Sequence, residues 1–267
     1  MKSMITSHQN PLVKDAVKLR NRRERKTQGR ILIDGASELL RALESGLPIV
    51  EIFVCEDLIN RPQARRALEL ARARGIEPLH VTSAVFGRLA FGDRAEGLVA
   101  VAAEPQSIWP DLPLPQNPLV VVLEQVEKPG NLGGVVRTAD AVGVSAVLVA
   151  DAAADIYSPN AIRASLGTVF TLPVVAVGSN AVLRWLREQQ INIVAARVEG
   201  AVHYADADYT GPSAIVLGSE ARGLSTLWQG EGITAVSLPM LGSADSLNVS
   251  VTAAVLLYEA LRQRRTP

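Results

Sequence analysis

The segment LPMLGSADSLNVS, residues 238–250, lies between an apolar strand pattern at Ala235–Pro239 and a helical pattern at Asn248–Arg264. Two more segments rich in glycine and polar residues follow apolar strand patterns in the same way: EKPGNLGGVVRTA at 127–139 and LGSEARGL at 217–224. In open α/β sheets, ligands bind at the carboxyl ends of the strands. Together the three segments therefore predict a ligand site, although any one of them alone could be a turn followed by a helix cap.

The strand patterns around these segments are continuously apolar, which is typical of a parallel sheet covered on both faces. They are Leu119–Leu123, Ala146–Ala150, Pro173–Val177, Ile191–Ala196, Ala214–Gly218 and Ala235–Pro239. Helical patterns separate most of them. One runs over Leu132–Val142 with Gly143 as its C-cap, and another over Asn180–Gln190 with Ser179 or Asn180 as its N-cap.

Five prolines fall between Pro105 and Pro118, a density that neither a helix nor a central strand tolerates. We therefore predict an N-terminal domain at 1–105, a linker at 106–118 and a C-terminal domain at 119–267. The N-terminal domain is predicted to be a small α/β unit. Its predicted strands are Ile31–Ile33, Ile52–Val54 and Leu98–Ala102, and its predicted helices are Pro11–Arg25, Ala36–Ser45, Pro62–Arg74 and Ser83–Ala90.

Composition excludes several classes of protein. With 48% hydrophobic residues and zero formal net charge in 267 residues, the chain is not predicted to be disordered. It lacks an apolar run long enough for a membrane span and a signal-like start, so we expect a cytoplasmic protein. Its three histidines lie far apart and its single cysteine, Cys55, sits in an apolar run, so no metal site is expected. Neither GxGxxG nor GxxxxGK[ST] occurs, which argues against the usual dinucleotide and P-loop sites.

The first thirty residues carry nine basic and two acidic side chains, concentrated in KLRNRRERKTQGR at 18–30. Such a density is expected of a surface that binds a nucleic-acid backbone, and a solvated helix face is the alternative. The candidate RNA-binding residues are Arg20, Arg22, Arg23, Arg25, Lys26 and Arg30.

The three glycine-rich segments resemble, in order, the three motifs of the SpoU (TrmH-like) branch of the SPOUT RNA 2′-O-ribose methyltransferases. Asn131 and Arg137 match the first motif, and Gly218, Glu220 and Gly223 match the GxExxG of the second. The third is matched by Pro239, Met240, Gly242, Ser246, Leu247, Asn248 and Val249. The resemblance covers roughly residues 118–264. Residues 3–105 more weakly resemble the attached substrate-binding domain, which is akin to RNA-binding ribosomal proteins.

The resemblance implies a fold and a cofactor. The parallel-sheet domain would carry a deep trefoil knot, which chain-topology rules alone would not predict. The methyl donor would be S-adenosylmethionine. Backbone groups of Gly218, Leu238 and Leu247 would hold it, and the pocket would also be lined by Leu217, Met240 and Asn248.

The resemblance also points to Arg137 as the residue that receives or relays the proton of the ribose hydroxyl. An ordinary arginine is a poor base because its pKa lies above about 12, so the alternative role is to clamp a phosphate and position the ribose. The remaining catalytic candidates would orient Arg137, the ribose or the cofactor, with Glu220 forming an ion pair to Arg137. These candidates are Asn131, Glu220, Ser246 and Asn248.

The expected substrate is structured RNA, with 23S ribosomal RNA favoured and transfer RNA as the alternative. The sequence is compatible both with a housekeeping role and with a role in resistance to a ribosome-targeting antibiotic. The competing hypotheses are a non-catalytic RNA-binding or ribosome-assembly protein and a Rossmann-type small-molecule enzyme. Family members are homodimers through the knotted domain, and an apolar stripe on the last helix is either that interface or core. The stripe comprises Val251, Val255, Leu256, Tyr258 and Leu261.

Overall fold

The computed structural model describes residues 4–91, 96–198 and 202–265. The chain divides into two compact units. Unit 1 consists of Met1–Gln106 and Tyr157–Thr171, and unit 2 consists of Ser107–Ile156 and Leu172–Pro267. The chain changes unit after Gln106, inside the proline-rich segment, but the grouping of Tyr157–Thr171 with unit 1 was not predicted. The domain boundaries proposed above stay a prediction.

Unit 1 contains a mixed five-stranded sheet with the order β1-β4-β3-β5-β2. Strand β5 is antiparallel to both of its neighbours, whereas the other pairs are parallel. The three strands predicted for this region are confirmed, and the short strands β1 and β4 were not predicted. The strands are β1 (Met4–Ile5), β2 (Arg30–Asp34), β3 (Ile49–Val54), β4 (Leu79–Val81) and β5 (Leu98–Ala103).

Along the chain, the first five helices described lie between the strands of this sheet. They are α1 (Pro11–Lys18), α2 (Arg22–Gln28), α3 (Ala36–Glu44), α4 (Pro62–Ala73) and α5 (Ser83–Leu89). The single helix predicted over Pro11–Arg25 is wrong, because the chain breaks between α1 and α2. Asn21 causes the restart: its side chain accepts a hydrogen bond of 2.8 Å from the backbone N–H of Arg23 and caps α2.

Unit 2 contains a seven-stranded sheet in which every recorded pairing is parallel, with the order β10-β12-β9-β11-β6-β7-β8. All six predicted strands are present, within two residues at each end. The strands are β6 (Leu119–Glu124), β7 (Ala146–Ala150), β8 (Val174–Val177), β9 (Asn192–Ala196), β10 (Val202–His203), β11 (Ser213–Leu217) and β12 (Ile233–Ser237). Leu217 lies opposite Leu123, and Val236 lies opposite Ala196, so the carboxyl ends of these strands lie side by side.

The helices of the second half are α6 (Pro129–Val142), α7 (Pro159–Ala164), α8 (Ser179–Glu188) and α9 (Val249–Arg265). The predicted C-cap is confirmed: Gly143 ends α6 with a positive φ of 75°. Helix α7, which belongs to unit 1, was not predicted.

The core of unit 2 includes Val122, Leu148, Val216 and Trp228, all fully buried. In unit 1, Cys55 is buried, as its apolar neighbours indicated. None of the helices described is long and apolar enough to cross a membrane.

The N-cap predicted for α8 is wrong, because a distant carboxylate takes its place. Asp151, just after β7, accepts hydrogen bonds from the backbone N–H of Ser179 at 3.2 Å and from its hydroxyl at 2.6 Å. We expect Asp151→Ala to lower the free energy of unfolding by about 1 kcal/mol, the usual cost of losing a cap. Urea denaturation measures this loss. Asp111→Ala, at an exposed position in the linker, is the control, and an equal loss in both variants would contradict the capping role.

Candidate active site

A cavity of about 770 Å³ lies at the carboxyl ends of β9, β11 and β12. Its walls come from the loops that follow these strands. Two of the three segments predicted for a ligand site, 217–224 and 238–250, line it, whereas the lining residues include none from 127–139. It is lined by five of the six predicted cofactor residues and by two catalytic candidates: Leu217, Gly218, Leu238, Met240, Leu247, Glu220 and Ser246. The sixth predicted cofactor residue, Asn248, lies between two lining residues, Leu247 and Val249.

The loop after β11 folds tightly back on itself. The backbone N–H of Gly223 donates to the carbonyl of Ser219 at 2.9 Å, and the N–H of Arg222 donates to the Ser219 hydroxyl at 3.2 Å. This turn brings the backbone of Gly223 and Leu224 so close to Gly218 that a Cβ at Gly218 would overlap it. Glycine at this position is therefore required by the close approach of two backbone segments.

Three side chains from the three motif segments form one hydrogen-bonded cluster. Asn131, in the first turn of α6, donates its amide N–H to Glu220 Oε1. Asn248 donates its own amide N–H to Asn131 Oδ1 at 3.1 Å. We call Asn131, Glu220 and Asn248 the amide–carboxylate cluster. It joins residues more than a hundred positions apart in sequence.

Asn131 and Asn248 each lie at or near the start of a helix, so either could be a simple helix cap. Asn248 is a cap: its Oδ1 accepts from the backbone N–H of Ser250 at 2.9 Å and from the Ser250 hydroxyl at 2.6 Å. Its amide nitrogen is still free to reach Asn131. Asn131 is not a cap, because the cap position of α6 is Lys128. Gly134 lets the two helices approach, since a Cβ there would meet Ser250 Cβ at 3.3 Å.

Arg137 lies on the same helix as Asn131, and its side chain is exposed. It is absent from the cavity walls. The predicted ion pair between Arg137 and Glu220 is wrong, because within the described ranges the Glu220 carboxylate instead accepts from Asn131 and no ion pair joins it to Arg137. Arg137 thus presents an exposed cation within the first motif segment rather than a group neutralised by Glu220.

The predicted RNA-binding residues divide into two groups. Arg25 is only 4% exposed and donates to the carbonyl of Leu19 at 2.6 Å, so it supports the turn between α1 and α2. Arg20 donates to the carbonyls of Arg88 and Ala90 at 2.8 and 2.5 Å, and burial lowers the pKa of its guanidinium. Their assignment as RNA contacts is corrected, because both guanidinium groups bind backbone carbonyls of this chain. Exposed cations on α2 are Arg22, Arg23 and Lys26, and Arg30 is half-buried.

Two protein-family models match separate parts of the chain. Residues 118–258 match the SpoU rRNA Methylase family, and residues 10–100 match the MRM3-like substrate binding domain. The chain belongs to the SpoU rRNA methylase family. The SpoU match contains all three motif segments and therefore the whole amide–carboxylate cluster.

Relatives of this SpoU-family protein match nearly its full length. It is 33% identical over 255 residues to the 23S rRNA (uridine(2479)-2′-O)-methyltransferase of Streptomyces viridochromogenes, covering 92% of this chain and 87% of the relative. A solved RNA 2′-O ribose methyltransferase shares 41% identity with a TM-score of 0.87, covering 98% of this chain and 99% of that one. The SpoU methyltransferase AviRb of S. viridochromogenes, crystallised with AdoMet, shares 30% identity with a TM-score of 0.83, covering 96% and 98%.

Sequence reasoning missed several charged residues of this SpoU-family site. Arg197, Arg222 and Asp245 line the cavity but were not predicted. Arg197 directly follows β9. It could have been predicted from the rule that ligands bind at the carboxyl ends of the strands in open α/β sheets. Arg222 and Asp245 lie inside the second and third motif segments, where only the residues matching the family pattern were selected.

Proposed function

We propose that this protein uses S-adenosylmethionine to methylate a ribose 2′-hydroxyl group of 23S ribosomal RNA. The observation that carries the proposal is the amide–carboxylate cluster, which draws the three motif segments together beside the cavity. A protein that only binds RNA has no need for this arrangement. The relative named a 23S rRNA 2′-O-methyltransferase supports ribosomal RNA as the substrate.

The cavity suits S-adenosylmethionine in size and chemistry. Its volume of about 770 Å³ falls in the usual range for small-molecule sites, roughly 300–1,000 Å³. Leu217, Leu238 and Leu247 offer apolar contacts for an adenine ring, while charged side chains suit the amino-acid portion. Bound there, the cofactor supplies an activated methyl group. An AdoMet-bound relative of the same fold supports this assignment.

The chain's own residues would act mainly by positioning. Asn131 and Asn248 hold the Glu220 carboxylate at one orientation through the cluster, so this part of the site is ordered before substrate binds. The exposed Arg137 is suited to bind an RNA phosphate in a two-point hydrogen bond and so to orient the ribose. Ser246, on the cavity wall, offers a hydroxyl to either ligand.

Mapping of ribose methylation across total RNA, in cells with and without the gene, tests the proposed function. We expect one or a few 2′-O-methyl groups in 23S ribosomal RNA to disappear with the gene. Loss of methylation in transfer RNA alone would replace ribosomal RNA by the alternative substrate. An unchanged map would contradict methyltransferase activity. Since the proposed substrate is ribosomal RNA of a bacterial type, we place the protein in the cytoplasm.

The exposed cations of α2 are the proposed RNA contacts in unit 1. We expect the combined variant Arg22→Gln, Arg23→Gln, Lys26→Gln to weaken RNA binding. The slope of log K against log salt should fall by about 2 to 3, because each phosphate contact contributes about 0.7–0.9. Titrations at several salt concentrations measure this slope. Exchanging the exposed Arg65 and Arg72 of α4 for glutamine is the control, and an equal or larger effect there would contradict the assignment.

We also propose that the protein is a homodimer through unit 2 and that its chain is knotted there, as the family resemblance implies. The apolar stripe on α9 supports an interface only in part. Val251 and Tyr258 are 47% and 54% exposed, whereas Leu256 is fully buried and belongs to the core.

Charge on the exposed part of this stripe should disrupt the dimer. We expect the double variant Val251→Glu, Tyr258→Glu to halve the mass measured by light scattering, because two carboxylates would be buried in a symmetric apolar interface. Ile108→Glu, at another exposed apolar side chain, is the control and should stay dimeric. A wild-type protein that is monomeric and active would contradict the proposed dimer.

A further inference from the structure

Residues Gly218–Leu224, which follow β11 and contribute to the cavity wall, form what we call the cavity loop. A short turn, Ser225–Gln229, follows it directly, and we call it the anchor turn. Thr226–Trp228 in the anchor turn form a single turn of 3₁₀ helix, and Trp228 is fully buried in the core of unit 2. The anchor turn therefore fixes one end of the cavity loop, and β11 fixes the other.

Glu124, the last residue of β6, holds the start of the anchor turn. Its side chain is buried, with 2% of the residue exposed, and its carboxylate oxygens accept from the backbone N–H and the hydroxyl of Ser225, both at 2.7 Å. Strand β6 lies beside β11, with Leu123 opposite Leu217. Glu124 consequently binds the chain at the point where the cavity loop ends, one strand away from where it begins.

Arg197 holds the far end of the anchor turn. Its guanidinium donates to the carbonyl of Trp228 at 3.3 Å. It also donates to the side-chain oxygen of Gln229 at 2.8 Å when that amide is oriented to face it. The backbone of Arg197 is itself fixed, because its N–H donates to the carbonyl of Val236 at 2.8 Å. Two strands, β6 and β9, thus secure the anchor turn from both sides.

We infer that Glu124 is a positioning residue for cofactor binding, assisted by Arg197: through the anchor turn it fixes the loop that carries Gly218 and Glu220. This inference rests on the proposed function. Within the described residues, the recorded hydrogen bonds inside the cavity loop are those of the Ser219–Gly223 turn. From outside the loop, Asn131 binds Glu220 near the middle of the loop, and the shape of the rest depends on how the two ends are held. A loop held in its binding conformation loses less entropy when the ligand binds.

The test compares variants at Glu124 and Ser225. Glu124→Ala removes both acceptors, and we expect it to raise the dissociation constant for S-adenosylhomocysteine about tenfold, with Ser225→Ala raising it about threefold. Glu124→Gln should stay within about twofold of wild type, because its amide can accept from the Ser225 N–H and donate to the hydroxyl. Calorimetry measures the affinity. The KM for S-adenosylmethionine should rise in parallel, with a smaller change in kcat.

Ser213→Ala is the matched control. It removes a buried serine hydroxyl that donates to the Gly211 carbonyl at 2.7 Å, at the opposite end of β11. It should change the melting temperature but not the cofactor affinity. Gln229→Ala, which removes an acceptor of Arg197 outside the cavity walls, should raise the dissociation constant about twofold.

Two results would overturn the inference. One is a Ser225→Ala protein that binds S-adenosylhomocysteine as tightly as the Ser213→Ala control, which decides the matter even where Glu124→Ala does not fold. The other is an equal loss in Glu124→Gln and Glu124→Ala, which would indicate a role for the carboxylate charge. Failure of the wild-type protein to bind S-adenosylhomocysteine would instead refute the proposed function, and the inference with it.

Discussion

Arg137→Ala is expected to abolish RNA methylation while leaving the affinity for S-adenosylhomocysteine unchanged. The two effects separate because Arg137 lies outside the cavity walls, with an exposed side chain on α6. Its guanidinium is therefore available to the RNA and not to the cofactor. Loss of a group that orients the ribose or relays its proton costs about 10²- to 10⁴-fold in rate. Single-turnover methylation and calorimetry on the same preparation measure the two quantities.

The lysine variant separates positioning from simple charge. Arg137→Lys keeps the positive charge but loses the planar fork that binds a phosphate at two points, so we expect most of the activity to be lost. Arg163→Ala is not a suitable control, because Arg163 binds the Phe91 carbonyl. Arg187→Ala, on an exposed turn of α8, is suitable and should stay active. An Arg137→Ala enzyme with near wild-type turnover would remove the residue from the mechanism.

Gly218→Ala is expected to destroy cofactor binding. The added methyl group would overlap the backbone of Gly223 and Leu224, which cannot move aside as a flexible side chain can. The cavity loop must then open, which costs about 1–3 kcal/mol of stability or more. Because Gly218 and Gly223 both line the cavity, the site is deformed directly. Calorimetry with S-adenosylhomocysteine and thermal denaturation measure the two consequences.

Gly211→Ala is the matched control for this prediction. Gly211 lies just before β11, at the other end of the strand that leads to Gly218. A Cβ there would meet only Asn192 Nδ2, at an ordinary contact distance of 3.8 Å. Cofactor affinity should stay at the wild-type value. If Gly218→Ala also binds the cofactor normally, the close backbone approach is not what builds the site.

The strands of unit 2 were predictable because a parallel strand buried on both faces needs apolar residues at every position. Strands β6 and β7 are buried throughout, and Leu119–Leu123 and Ala146–Ala150 are uninterrupted apolar runs in the sequence. Features that depend on distant partners were not predictable. Asp151 caps α8 from 28 residues away in sequence, and this pairing leaves no local signal. The short strands β1 and β4 are too brief to show a period.

The residues of the candidate site that match a family motif could be named from the sequence. The roles of the basic residues could not, because these depend on how each side chain packs. The family resemblance named Asn131, Glu220 and Asn248 as candidates for one site, and their side chains do form one hydrogen-bonded cluster, while their catalytic roles stay a prediction. The RNA-binding assignment of Arg20 and Arg25 in the basic segment was wrong, because a run of arginines does not show which of their side chains are buried. Arg25 is buried against a backbone carbonyl while its neighbour Lys26 is exposed, a difference set by the helix period and by the break after α1.

The most direct measurement of the central claim is methylation of a 23S ribosomal RNA transcript by the purified protein with methyl-labelled S-adenosylmethionine, followed by alkaline hydrolysis. A 2′-O-methyl group blocks cleavage of the adjacent phosphodiester bond. We therefore predict that the label appears in an alkali-resistant dinucleotide and that Arg137→Ala yields none. Label released in a mononucleotide would mean that a base is methylated, and this would contradict the account.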